Sequence, residues 1–214
     1  MNTPDIRPVE HASFTMKWGD ISIAIDPVGA PAHYAHPSLV LVTDIHSDHL
    51  DIATLVALAA PMIAPKAVVA MMPEGLAKLA TILNNDESID AAGFRITAIP
   101  MYNRPGADNA GYHPKGRGNG YLIEKSGVRV YIAGDTAGIP EMRALANIDI
   151  AFMPMNLPYT MSVEEAAGAT LSFRPKVAIP YHYRGPEGLS DVAAYKRLVE
   201  SANAGTHVEL LKWY

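Results

Sequence analysis

Short apolar runs separated by polar breaks dominate the chain, and their spacing predicts strands more often than long helices. Residues 13–18 and 21–26 read as a hairpin turning at Gly19-Asp20, with Pro27 closing the second strand. A loop rich in Gly, Pro, Ala and His covers 29–38. Residues 39–43, LVLVT, are apolar until their last position, the pattern of a strand buried on both faces. Asp51 is placed to cap a helix running to residue 60. A strand is expected over 67–70 and a helix over 73–83, with Pro73 in its first turn. Residues 94–99 read as a strand, and 100–118 as a long polar loop of the kind that often carries function. A second hairpin follows over 119–124 and 128–133, with Ser126-Gly127 at its turn and Gly134-Asp135-Thr136 just beyond. Next come a helix over 139–146 and a strand over 150–153. Ser162 and Glu165 form a capping box that opens a helix to about 171. Residues 177–180 predict a strand ending at Tyr181-His182-Tyr183, 189–202 a helix, and 206–212 a last strand.

This alternation implies an α/β fold. The 214 residues suit one domain spanning 1–214, and no Pro/Gly/Ser linker divides them. The chain has no cysteine, which excludes a disulfide scaffold, a cysteine-ligated metal and a thiol nucleophile. Its 17 Lys plus Arg against 22 Asp plus Glu give a formal charge of -5, so nothing points to a nucleic-acid partner. The greasiest stretch, 52–70, is interrupted by Pro61, Pro65 and Lys66 and does not read as a spanning helix. The opening ten residues, MNTPDIRPVE, are polar with two prolines, unlike a secretory signal, so a cytoplasmic protein is expected. The hydrophobic fraction of 49% permits a homo-oligomer without requiring one.

The most informative segment follows the LVLVT run. Asp44, His46, Asp48 and His49 fall within six residues. Neither helical nor strand periodicity puts all four on one face, so a loop must turn them inward. Without cysteine, a divalent ion here is restricted to nitrogen and oxygen donors. His11, His113, Arg104, Lys115 and Arg117 are further candidates, the last four lying in the polar loop.

The segment Asp44-x-His46-x-Asp48-His49 resembles the His-x-His-x-Asp-His signature of the metallo-beta-lactamase superfamily. Four other segments are similar to its compact lactonase-like branch, which includes L-ascorbate-6-phosphate lactonase. They are His11-Ala-Ser-Phe14 with Ile25-Asp-Pro27, Gly134-Asp135-Thr136, Thr160-Met-Ser-Val-Glu-Glu-Ala166 and Pro180-Tyr-His-Tyr183. The resemblance implies a four-layer αββα sandwich with the site at one edge. It makes Asp48, His49 and His182 ligands of one ion, Asp135 the bridging carboxylate, and His46 a ligand of a second ion. Asp44 stands where the signature has His, and Asn103 is nearest to where the superfamily supplies another. Those oxygen donors suit Mn or Fe better than a His-rich zinc site does, so one or two ions of Zn, Mn or Fe are expected.

Two such ions, about 3.5–4 Å apart, can share a hydroxide that attacks an ester, lactone or phosphorus centre. Asp48 is placed to orient that water, and His11 or His113 to assist the leaving group near neutral pH. Arg104, Lys115 and Arg117, with Tyr183, are candidate contacts for an anionic small-molecule substrate. The expected activity is metal-dependent hydrolysis of a small ester or lactone, with or without a phosphate group. The alternatives are a phosphodiesterase of the same fold and a non-catalytic ligand-binding protein with a degraded metal site.

Overall fold

Two sheets face each other, and side-chain alternation explains why. The computed structural model describes residues 3–214; Met1 and Asn2, the start of the polar opening segment, lie outside the described residues. The first sheet runs in sequence order: β1 (Asp5–Glu10), β2 (Ser13–Trp18), β3 (Ile21–Ile25), β4 (Leu39–Leu41), β5 (Met62–Ala64) and β6 (Ala80–Ile82). Antiparallel hairpins join β1 to β3, and β3 to β6 are parallel. The second sheet contains β7 (Ser88–Ala91), β8 (Phe94–Met101), β9 (Gly118–Lys125), β10 (Val128–Ile132), β11 (Ile150–Pro154) and β12 (Val177–Tyr181). A small ribbon of β13 (Arg184–Gly185) and β14 (Gly188–Leu189) follows, and β15 (His207–Val208) pairs beside β12.

In β3, β4 and β5, Ile23, Ile25, Leu39, Leu41 and Ile63 join the core between the sheets. Their neighbours Ala24, Val40, Met62 and Ala64 join a separate cluster with Leu55, Val68 and Leu76. Those last three residues lie on α1 (Ile52–Leu58), α2 (Lys66–Val69) and α3 (Glu74–Ala77). Phe14 stacks on Phe152 with ring centroids 4.4 Å apart, joining the two sheets through the central core. Helices α4 (Pro140–Arg143), α5 (Val163–Phe173) and α6 (Val192–Ser201) cover the far side of the second sheet. This is the αββα sandwich of the metallo-beta-lactamase type.

Several elements differ from expectation. The strand expected at 67–70 is instead β5, with 66–69 forming a helical turn. The helix expected over 73–83 stops after Ala77, and β6 takes 80–82. Alanine-rich segments fit either periodicity, and pairing with β4 and β5 decides the outcome. The helix expected over 139–146 shrinks to α4, and the last strand to two residues. β1 and β7 are additional edge strands, whose exposed polar residues hide the apolar signal.

Candidate metal centre

Parallel strands β3, β4, β10, β11 and β12 end at the same edge of the sandwich. The residues just past them are Asp26, the 43–49 loop, Gly134-Asp135, Asn156 and His182. Three residues around this edge hold positive φ without being glycine: His11 (48°), Asp26 (43°) and His182 (46°). Such backbone is costly and persists where surrounding contacts enforce it.

His49, Asp135 and His182 are buried and offer three ligand atoms lying within 4.8 Å of one another. Nε2 of His49 is 3.5 Å from Oδ2 of Asp135, and Nε2 of His182 is 3.4 Å from Oδ1. Asp48 reaches in from the loop, its Oδ2 3.3 Å from Nε2 of His182, and remains 40% exposed. Nε2 of His49 and Oδ1 of Asp135 are buried without a hydrogen-bond partner among the described residues. Buried polar atoms are ordinarily satisfied. These imidazole and carboxylate atoms, aimed at a common point, fit a divalent ion.

Electrostatics in the centre follow from burial against neighbouring charge. Burial disfavours a charged His182, but the Asp135 carboxylate prevails and raises its pKa to about 9. Burial likewise opposes the charge on His49, yet Asp135 and Asp26 hold it well above the usual imidazole range. Burial pushes against Asp135, and the two imidazoles keep it well below the carboxylate range. Asp48 is also lowered: its hydrogen bond with His182 and the charges of both imidazoles outweigh burial.

A second cluster joins Asp44, His46 and His113. The polar loop folds back so that His113 is 1% exposed, with Nε2 3.2 Å from Oδ2 of Asp135. That Nε2 also lacks a hydrogen-bond partner among the described residues. Asn103 backs His113: its Nδ2 lies 3.3 Å from Nδ1 of the ring and donates to the carbonyls of Asn109 and Tyr159. The histidine that joins Asp44 and His46 therefore comes from ten positions further along the loop than Asn103. A third group joins His11 to Asp48 and His182. The His11 ring is partly exposed, its pKa is lowered by burial and by His182, and its Nδ1 is 3.4 Å from the Tyr214 hydroxyl.

The loop cations expected to face substrate are paired internally. Arg104 meets Glu165 at 2.9 Å, Lys115 meets Glu141 at 2.8 Å, and Arg117 meets Asp44 at 2.7 Å. Tyr183 is buried and packs edge-on against Tyr214, away from the cavity lining.

Sequence reading passed over two features of the centre. Asp26 is fully buried, and its Oδ2 lies 2.8 Å from Nδ1 of His49. The Thr43 amide and hydroxyl donate to the same carboxylate at 2.7 and 2.6 Å. A carboxylate on the far nitrogen fixes the imidazole so that Nε2 faces the ion. The only sequence signal was the Ile25-Asp-Pro27 segment itself. The second feature is a cavity of about 430 Å³ above the cluster, walled by Tyr112, Tyr159, Asn156 and Ser47 as well as by His11 and Asp48.

A family model described as a beta-lactamase superfamily domain matches residues 5–182. A UPF0173 metal-dependent hydrolase of Thermococcus onnurineus is 31% identical, over 91% of each chain. A solved structure from Parabacteroides distasonis, named for metal-dependent hydrolysis, is 34% identical with a TM-score of 0.85, covering 97% of this chain and 92% of that one. Igni18, a metallo hydrolase from Ignicoccus hospitalis, is 25% identical with a TM-score of 0.81, covering 98% of this chain and 95% of that one.

Proposed function

The chain belongs to the beta-lactamase superfamily and is a metal-dependent hydrolase of that fold; on that premise we propose that it hydrolyses a small ester or lactone. The observation that carries this reading is the convergence of His49, Asp135 and His182 beneath a cavity of small-molecule size. A bound divalent ion would supply Lewis acidity toward water and the scissile carbonyl.

The protein's own groups have separable tasks. His49, Asp135, His182 and Asp48 would hold the ion, whether Zn, Mn or Fe. Asp48 remains ionised and partly exposed, so one of its oxygens is free to orient a water by accepting its proton in a hydrogen bond. His11 borders the cavity, and its lowered pKa keeps it neutral at pH 7, suited to hydrogen bonding with the departing oxygen. Tyr112 and Tyr159, edge-to-face at 5.0 Å, wall the cavity against an acyl chain or ring.

Pairing of Arg104, Lys115 and Arg117 with carboxylates favours a carbonyl centre over a phosphodiester, which gains from free cations on its non-bridging oxygens. Any attraction for an anionic substrate would then come chiefly from the ion. A panel of lactones, aryl esters and bis-aryl phosphates, assayed with Zn²⁺, Mn²⁺ or Fe²⁺, tests the reading. Turnover of lactones or esters supports it. Turnover of phosphodiesters alone moves the protein to the phosphodiesterase alternative. Ligand binding without turnover at any metal load moves it to a non-catalytic role.

A further inference from the structure

Both oxygens of Asp44, the carboxylate of the second cluster, are occupied by one guanidinium. Nε of Arg117 donates to Oδ1 at 3.0 Å, and Nη2 donates to Oδ2 at 2.7 Å. The same Nη2 lies 3.4 Å from Nε2 of His46, whose Nδ1 is 2.9 Å from Oδ2 of Asp44. Asp44 is fully buried, and the Arg117 side chain is 17% exposed, so water screens this pair weakly. A planar guanidinium gripping a carboxylate through two parallel donors is the strongest form of this pair.

The two clusters differ in charge as a result. Around His49 and His182, Asp48 and Asp135 supply two negative charges, matching a dication. Around His46 and His113, Asp44 is the only additional carboxylate among the described residues, and it is already neutralised. A second dication there would have to displace Arg117 from a buried carboxylate or sit beside its positive charge.

We propose that Arg117 holds the place of a second ion, so that the chain binds one divalent ion, at Asp48, His49, Asp135 and His182. The inference rests on the hydrolase reading for the first ion and adds what closes the second cluster. Arg117 also donates to the carbonyl of Tyr112, tying the same guanidinium to a residue that walls the cavity. The side chain thereby closes the second cluster and anchors the loop over the first.

Metal stoichiometry tests this without reference to activity. Metal-free protein is titrated with Co²⁺, followed by visible absorption and calorimetry, and bound metal is counted by elemental mass spectrometry. Wild type is expected to saturate at one ion per chain. R117K, which keeps a cation, is expected to stay at one. R117M is expected to take two, with a second set of Co²⁺ bands. Because R117M leaves Asp44 buried without its partner, the double variant D44H/R117M provides a version without that charge, and it too is expected to take two. Two tight ions in wild type overturn the inference and leave the hydrolase reading standing. One ion in both R117M and D44H/R117M, each shown to be folded by circular dichroism, also overturns it. No ion in wild type or in any variant overturns both.

Discussion

Oδ2 of Asp26 and Nδ1 of His49 lie 2.8 Å apart, both side chains fully buried, in a chain where 23 positions separate them. The Thr43 hydroxyl closes the triangle, 3.0 Å from the same imidazole nitrogen. This contact selects which ring nitrogen is left for the ion.

Replacing Asp26 with Asn should therefore weaken metal binding about 10- to 100-fold, the usual cost of losing a carboxylate behind a ligating histidine. Competition against a chromogenic chelator measures the affinity. Wild-type affinity in D26N would show that the contact is only structural.

Asp135 faces three imidazoles, with His49 at 3.5 Å, His182 at 3.4 Å and His113 at 3.2 Å. Asp135→Ala should remove hydrolysis and lower bound metal below one ion per chain. Activity retained in a folded D135A protein would refute the metal-holding role assigned to this carboxylate.

Metal uptake should release protons. His182 titrates at about 9 and His49 lies well above its usual value, so both imidazoles carry protons in the metal-free protein at pH 7. A ligand must be neutral, so binding expels those protons and affinity rises with pH up to about the raised pKa values. Calorimetry in buffers of different ionisation enthalpy should count about two protons per ion. A pH-independent affinity between 6 and 8 would contradict this.

Much of the fold was legible because it is locally encoded. The two hairpins announce themselves through alternation and the LVLVT strand through its continuous apolar run, and Asp51 caps α1 by accepting from the amides of Ala53 and Thr54. The segment from 62 to 82 was not legible. Its alanines and aliphatics suit helix and strand alike, and the choice is made by partners distant in sequence. The site divides in the same way. Asp44 to His49 could be recognised because they are contiguous. His113 could not be assigned its place, because the fold-back of the polar loop depends on Asn103 bonding to Tyr159, 56 residues away. Asp26 looked like a strand end before proline, and only the fold brings it behind His49.

The joint between the sheets should be sensitive to volume. Phe14 is fully buried and touches Phe152, Tyr181 and Trp213. Phe14→Ala should cost about 3–5 kcal/mol of stability by opening a cavity. Urea unfolding of metal-free protein measures it, and a loss below 1 kcal/mol would mean the sheets close the gap.

The proposed ligands come from both sheets: Asp48 and His49 follow β4 of the first, and Asp135 and His182 follow β10 and β12 of the second. No ion can be fully coordinated until the two halves have docked. The ion then acts as a kinetic latch. With its full set of contacts requiring both sheets in place, it should leave the folding rate nearly unchanged and slow unfolding, as interactions made after the barrier do. The lifetime of the native state, more than its speed of formation, would then report how much metal is at hand.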